Sequence, residues 1–146
     1  MDRQGIIEAL VKLAQLEIDV NHTYGLAVKS IDDPVMRQRL EEFQRQHEDH
    51  ISQLSEEIRA LGGSAPELSP DIRGYLISGV TSLLSTTGAS GALQALKLGE
   101  ELTTGRYEDA LKWDVPEGVR RLIRRHFSDE KIHLDYATNN LKALKA

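Results

Sequence analysis

The chain contains no cysteine, which excludes disulfides, thiolate metal sites and cysteine nucleophiles. Aromatic residues make up only 5% of its 146 positions, so any core must be built mainly from aliphatic side chains. A basic excess is also missing. The formal net charge is −5 with 28% charged residues, a balance that suits a water-soluble protein and argues against a nucleic-acid partner. No apolar run reaches the length of a membrane span, and the opening Met1-Asp2-Arg3-Gln4 has no signal-peptide pattern, so a cytoplasmic protein without membrane contact is expected. Sustained strand alternation is absent as well. The length fits one domain over residues 1–146, large enough to bury a real core.

What is present is helical periodicity. Leu10, Leu13, Leu16, Val20 and Ala27 recur at helical spacing between about Ile6 and Ile31, with no proline inside. Asp33-Pro34 is an N-cap followed by proline at the first helical position, and it opens a second helix that runs to Leu61, where Gly62-Gly63 supplies a stop. Ser64 to Pro70 reads as a loop, Asp71 to about Ser85 as a shorter apolar helix, and Thr86 to Gly91 as a flexible stretch of small residues. A third long helix then extends to about Trp113, and Asp114-Val115-Pro116-Glu117 turns the chain into a fourth that ends near Leu144. Short links within each pair make two antiparallel hairpins, and the roughly 25 residues between the pairs are enough to cross the length of a bundle. The expected fold is all-α: an antiparallel four-helix bundle whose long crossover, about residues 62–90, carries a short extra helix.

The two halves resemble each other. At an offset of 83 residues, Ala9, Leu10, Leu13, Glu17, Tyr24, Ala27 and Lys29 fall on Ala92, Leu93, Leu96, Glu100, Tyr107, Ala110 and Lys112. Seven identities in 21 positions exceed the roughly one or two expected by chance. The same offset places His50 on His133 and His47 on Glu130, implying an approximate two-fold axis through the core. Glu130 and His133 are three residues apart, on the helix face that also carries Leu122 and Ala137. A carboxylate and an imidazole on a buried face are costly unless compensated, and a metal ion is one such partner.

With Glu130-x-x-His133 on the last helix, His47-x-x-His50 on the second and single glutamates Glu17 and Glu100 on the other two, the chain resembles the ferritin-like superfamily of diiron carboxylate bundles. The likeness is to its small bacterial ferritin-like or rubrerythrin-like members of unassigned activity, and it spans the four long helices but not the insert. In that superfamily two helices each give one Glu and the other two each give Glu-x-x-His. The resemblance therefore implies a metal site of Glu17, His47, His50, Glu100, Glu130 and His133, holding two iron ions, with manganese or zinc as other candidates. It implies bridging by Glu17 together with Glu130 or Glu100, and terminal positions for His50 and His133. The second helix departs from the pattern, because His47 replaces a glutamate and lowers the negative charge of the site from four to three.

Tyr24 and Tyr107 lie two turns beyond Glu17 and Glu100 on the same face, placed to hydrogen-bond carboxylates across the core or to donate an electron. His126, one turn before Glu130, reads first as a hydrogen-bonded core histidine and second as a base behind the site or an extra ligand. His22 reads as a surface residue, and Arg120, Arg121, Arg124 and Arg125 as a solvated helix face. The activity implied is that of an oxidoreductase: ferrous iron reacting with O2 or peroxide, as a ferroxidase, peroxidase or oxidase. With no cysteines for a rubredoxin-type domain, any electron donor is external. The insert or an outer bundle face suits a homodimer. Two rival readings are a metal-binding or redox-sensing bundle without turnover, and a metal-free interaction protein.

Overall fold

Asp2 starts the first helix by accepting a hydrogen bond from the Gly5 amide at 2.7 Å. This cap places the beginning of α1 (Arg3–Val28) three residues ahead of the apolar periodicity that signals it. Asp33 caps α2 (Pro34–Ala60) as its position before Pro34 predicts, accepting from the amides of Val35 and Met36 at 2.9 and 3.4 Å. Loss of that cap in Asp33→Ala is expected to cost about 1 kcal/mol in urea unfolding with an unchanged m-value. At the far end of α2, Gly62 takes φ = 89°, a left-handed conformation that glycine adopts without strain. A Cβ on Gly63 would lie 2.6 Å from Ile7 Cγ2, so the chain passes the start of α1 too closely for a side chain there.

The computed structural model describes residues 1–71 and 88–145. The short helix expected from Asp71 to about Ser85 lies, apart from Asp71, outside the described residues. The remaining long helices are α3 (Gly88–Ala110) and α4 (Glu117–Lys145). The expectation of a flexible stretch as far as Gly91 is corrected at its C-terminal end, since α3 already begins at Gly88. Gly91, Ala92 and Ala95 are buried, so here small side chains allow close packing within the bundle. No strand occurs among the described residues.

The helices form a bundle of two hairpins, α1–α2 and α3–α4, joined through α1 against α3. The fourth seam, between α2 and α4, has the fewest close approaches. Each hairpin turn is fastened by an arginine from the helix that follows it. Arg37 donates to the Ile31 carbonyl at 2.6 and 3.0 Å, and Arg120 donates to the carbonyls of Leu111 and Trp113, both at 2.9 Å. These arginines are 83 positions apart, and both satisfy carbonyls in the turn that follows a helix end. Arg120 is thereby accounted for, while Arg121, Arg124 and Arg125 are exposed.

The start of the crossover is pinned to α1. Gln15 donates to the Ser69 carbonyl at 3.0 Å, and the Asp71 amide donates to Asp19 at 2.8 Å, so the chain runs along α1 from the level of Ile7 to that of Asp19. No described helix is long and apolar enough to cross a membrane.

The interior is two apolar clusters. One gathers Ile6, Leu10, Leu54, Ile58, Leu122 and Ile123 at one end. The other gathers Val20, Ala27, Leu40, Phe43, Ala92 and Leu96 at the opposite end. Between them, at mid-height, lies a layer of buried polar side chains.

Candidate metal centre

That layer follows directly from helix periodicity. Glu17 lies on the α1 stripe between Leu13 and Val20, and Glu100 lies between Leu96 and Thr103 on α3. Continuing an apolar face through these positions leaves a carboxylate no route to solvent. His47 and His50 on α2, and Glu130 and His133 on α4, complete the set. All six sequence-predicted residues are brought together, each no more than 2% exposed. Glu100 rather than its neighbour Glu101 faces inward, since the Glu101 side chain is half exposed and pairs with Lys97. His22 is exposed, as expected.

The ligand atoms form two overlapping groups, Glu17–His47–His50–Glu130 and His47–Glu100–Glu130–His133, each with one N or O atom per residue lying within 4.8 Å of the others. The cluster can therefore hold a metal ion. Glu130 and His47 stand in both groups, whereas Glu17 and Glu100 each stand in one, so the carboxylate common to both groups is on α4 rather than on α1 or α3.

The two outer histidines are oriented alike. His50 Nε2 lies 2.8 Å from Asp129 Oδ2, and His133 Nε2 lies 2.6 Å from Gln46 Oε1. Both partners are acceptors, so each Nε2 carries the proton and donates, and in the neutral ring Nδ1 keeps its lone pair. His50 Nδ1 then faces Glu130 Oε1 at 3.1 Å and Glu17 Oε1 at 3.3 Å. His133 Nδ1 faces Glu130 Oε2 at 3.3 Å and Glu100 Oε1 at 3.4 Å, yet it is buried without a hydrogen bond. A lone pair aimed at two carboxylates is repulsive in a buried site unless a cation or a proton sits between them. The unpartnered Nδ1 is the observation by which the donor set fits a metal.

His47 is different. Its Nδ1 is 2.6 Å from Glu17 Oε2, its Nε2 is 2.8 Å from Glu100 Oε1, and Glu130 Oε1 is 3.5 Å from Nδ1. Burial opposes its charge, but the charges of Glu17 and Glu100 and their hydrogen bonds prevail and raise its pKa to about 10. Burial likewise pushes the Glu17 and Glu100 carboxyls up, and the His47 charge with the surrounding hydrogen bonds holds both well below the usual range. Glu130 goes the other way, raised well above the usual carboxylate range by burial and by the charges of Glu100 and Glu17. Burial lowers His133. Burial opposes a charge on His50, but its hydrogen bonds to Asp129 and Glu17 prevail and raise its pKa. Protons on His47, Glu130 and His50 together thus offset the carboxylate charge wherever a metal does not.

The tyrosines part company. Tyr24 donates to Glu100 Oε1 at 2.6 Å, as expected of a hydroxyl fixing a carboxylate across the core. Tyr107 has its short contact with His126 Nδ1 at 3.1 Å, and its hydroxyl also bears on the Glu17 carboxylate. The reason is local. His126 occupies the place that Phe43 fills in the first half, and its second nitrogen donates to Gln53 Oε1 at 2.8 Å, which leaves Nδ1 to accept. Burial and neighbouring carboxylates push both phenols well above the usual range. His126 stacks on His50 with ring centroids 3.9 Å apart, just as Phe43 packs on His133 at 4.2 Å. It is a hydrogen-bonded core histidine outside both ligand groups.

Three participants escape the sequence reading: Gln46, Asp129 and Thr103, whose hydroxyl donates to Glu100 Oε2 at 3.0 Å. For Gln46 and Asp129 a signal exists, since they correspond at the offset of 83 and each lies one turn before a histidine of the cluster on its own helix, His50 and His133. A pocket of about 190 Å³ in the α2–α4 seam, lined by Gln46, Gln53, Arg125 and Asp129, leads to the imidazoles. A groove of about 730 Å³ along the outer α1–α2 face by Leu26 and Leu68 touches none of the six.

Fold and site together define a four-helix bundle with a buried His/Glu cluster able to hold metal. The chain belongs to the family described as a domain of unknown function, DUF2383, which matches residues 5–113. That span includes Glu17, His47, His50 and Glu100 and stops before α4, which supplies Glu130 and His133. No curated protein matches the chain.

Proposed function

We propose that the chain is a non-haem dimetal carboxylate protein of the ferritin-like kind, with iron as its metal and O2 or peroxide as its oxidant. The observation that carries this reading is the pair of buried imidazoles whose Nε2 atoms are engaged and whose Nδ1 atoms converge with Glu17, Glu100 and Glu130. Mixed oxygen and nitrogen donors suit iron, with manganese and zinc as the nearest competitors. Bound iron would supply the electrons for reduction of the oxidant.

The chain's own residues do the rest. Glu17 and His50 would hold one position, Glu100 and His133 the other, and Glu130 would serve both. His47 lies between them and must give up a proton to serve as a ligand. Tyr24 and Thr103 fix the Glu100 carboxylate, and the apolar layers above and below keep water out. Loading with Zn(II) at pH 7 in weak buffer is expected to release about one proton or more per chain, because His47 is charged there; release of none would place His47 outside the ligand set.

The activity is tested by mixing anaerobically iron-loaded protein with O2 or peroxide in a stopped-flow spectrometer. A rapid charge-transfer absorption followed by turnover supports it, and bound metal without either change supports the sensing or structural alternative. His22→Ala, remote from the cluster, is expected to behave as wild type.

A further inference from the structure

We infer that the two metal positions are unequal, with the Glu17–His50–Glu130 position the tighter, and that Asp129 and Gln46 set the difference as positioning residues. The inference rests on the dimetal reading above. Each ligating histidine is held from the opposite helix: His133 on α4 by Gln46 of α2, and His50 on α2 by Asp129 of α4. The two holders occupy equivalent places, 83 residues apart, but they differ in chemistry. An amide oxygen accepts the Nε2 proton and orients the ring. A carboxylate does this and also sets a full negative charge behind the ring, which increases electron density at Nδ1 and strengthens its bond to a cation.

A second asymmetry acts in the same direction. Glu100 accepts hydroxyl protons on both oxygens, from Tyr24 at 2.6 Å and Thr103 at 3.0 Å, whereas the short contacts of Glu17 are to His47 at 2.6 Å and His50 at 3.3 Å, and the Tyr107 hydroxyl that also bears on Glu17 is shared with His126 Nδ1. Hydroxyl donors draw charge from the oxygens of Glu100 and leave them weaker donors to a cation. Both differences therefore favour the Glu17 side. Asp129 and Gln46 stand at the mouth of the pocket in the α2–α4 seam, with 41% of the Asp129 side chain exposed, so isosteric changes there leave the apolar layers intact.

The test is a titration with Co(II), followed by calorimetry and by the visible absorption of the bound ion. Wild-type protein is expected to bind in two distinct steps. Asp129→Asn should weaken the tighter step by about 10- to 100-fold and leave the other unchanged, while Gln46→Glu should strengthen the weaker. Asp129→Asn/Gln46→Glu should restore two steps with the positions exchanged. Adding Glu17→Ala identifies them: the remaining ion, held by Glu100, His133 and Glu130, binds weakly beside native Asp129 and Gln46 and tightly in the exchanged pair. A merely structural role would weaken both steps and would not be reversed by the exchange. Two equal steps in wild type, or an Asp129→Asn effect shared by both steps, overturns the inference and leaves the dimetal reading standing. Failure of Co(II) to bind at all overturns both.

Discussion

Glu130→Ala is expected to abolish high-affinity metal binding altogether, whereas Glu17→Ala and Glu100→Ala should each remove one ion and leave the other. The difference follows from position. Glu130 contributes to both ligand groups, and its two oxygens reach His50 Nδ1 at 3.1 Å and His133 Nδ1 at 3.3 Å. Glu17 and Glu100 each contribute to one group. Without Glu130, each position keeps one carboxylate and one outer imidazole besides His47, too little negative charge to offset the desolvation of a divalent ion. His50→Ala should behave like Glu17→Ala and cost one ion. Metal analysis after anaerobic loading and desalting reads the outcome. Equal metal content in Glu130→Ala and Glu17→Ala would remove Glu130 from its shared place.

The second large effect concerns stability. A ligand that binds only the folded state stabilises it by roughly 4 kcal/mol when free at about 1,000 times its Kd. For a chain of this length that is about 10 °C in Tm. Glu130→Gln should lose this shift entirely. In the metal-free state the same variant should be at least as stable as wild type, because the amide keeps the shape of the side chain and removes a carboxyl that burial and the charges of Glu100 and Glu17 disfavour. Thermal unfolding of both proteins, with and without Zn(II), gives all four values. A metal-free Glu130→Gln destabilised by about 3–5 kcal/mol, the cost of breaking a buried ion pair, would mean that Glu130 is instead half of a structural pair.

The bundle was legible because its signals are local and redundant. Asp33-Pro34 and Gly62-Gly63 punctuate α2, and leucine periodicity marks the buried faces. Glu17 and Glu100 were legible for a different reason: each interrupts an apolar face at the same place in a repeated pattern. The start of α3 was harder to read. Runs such as Ala89 to Ala92 suit a loop by composition, and only their burial against neighbouring helices makes them helical. The partner of Tyr107 was out of reach for a related reason. Its hydroxyl could turn to a carboxylate or to His126, and the choice depends on Gln53 occupying the other imidazole nitrogen, a contact across 73 residues. Gln46 and Asp129 look like ordinary surface polar residues until α2 and α4 are set side by side.

The central claim is that cations belong among the six side chains between the two apolar layers. A crystal grown with ferrous salt without oxygen tests it most directly, through anomalous diffraction at the iron edge. Two peaks are expected, one beside Glu17 and His50 and one beside Glu100 and His133, both within bonding reach of Glu130. No peak in that layer, with iron bound only at surface carboxylates, would contradict the account.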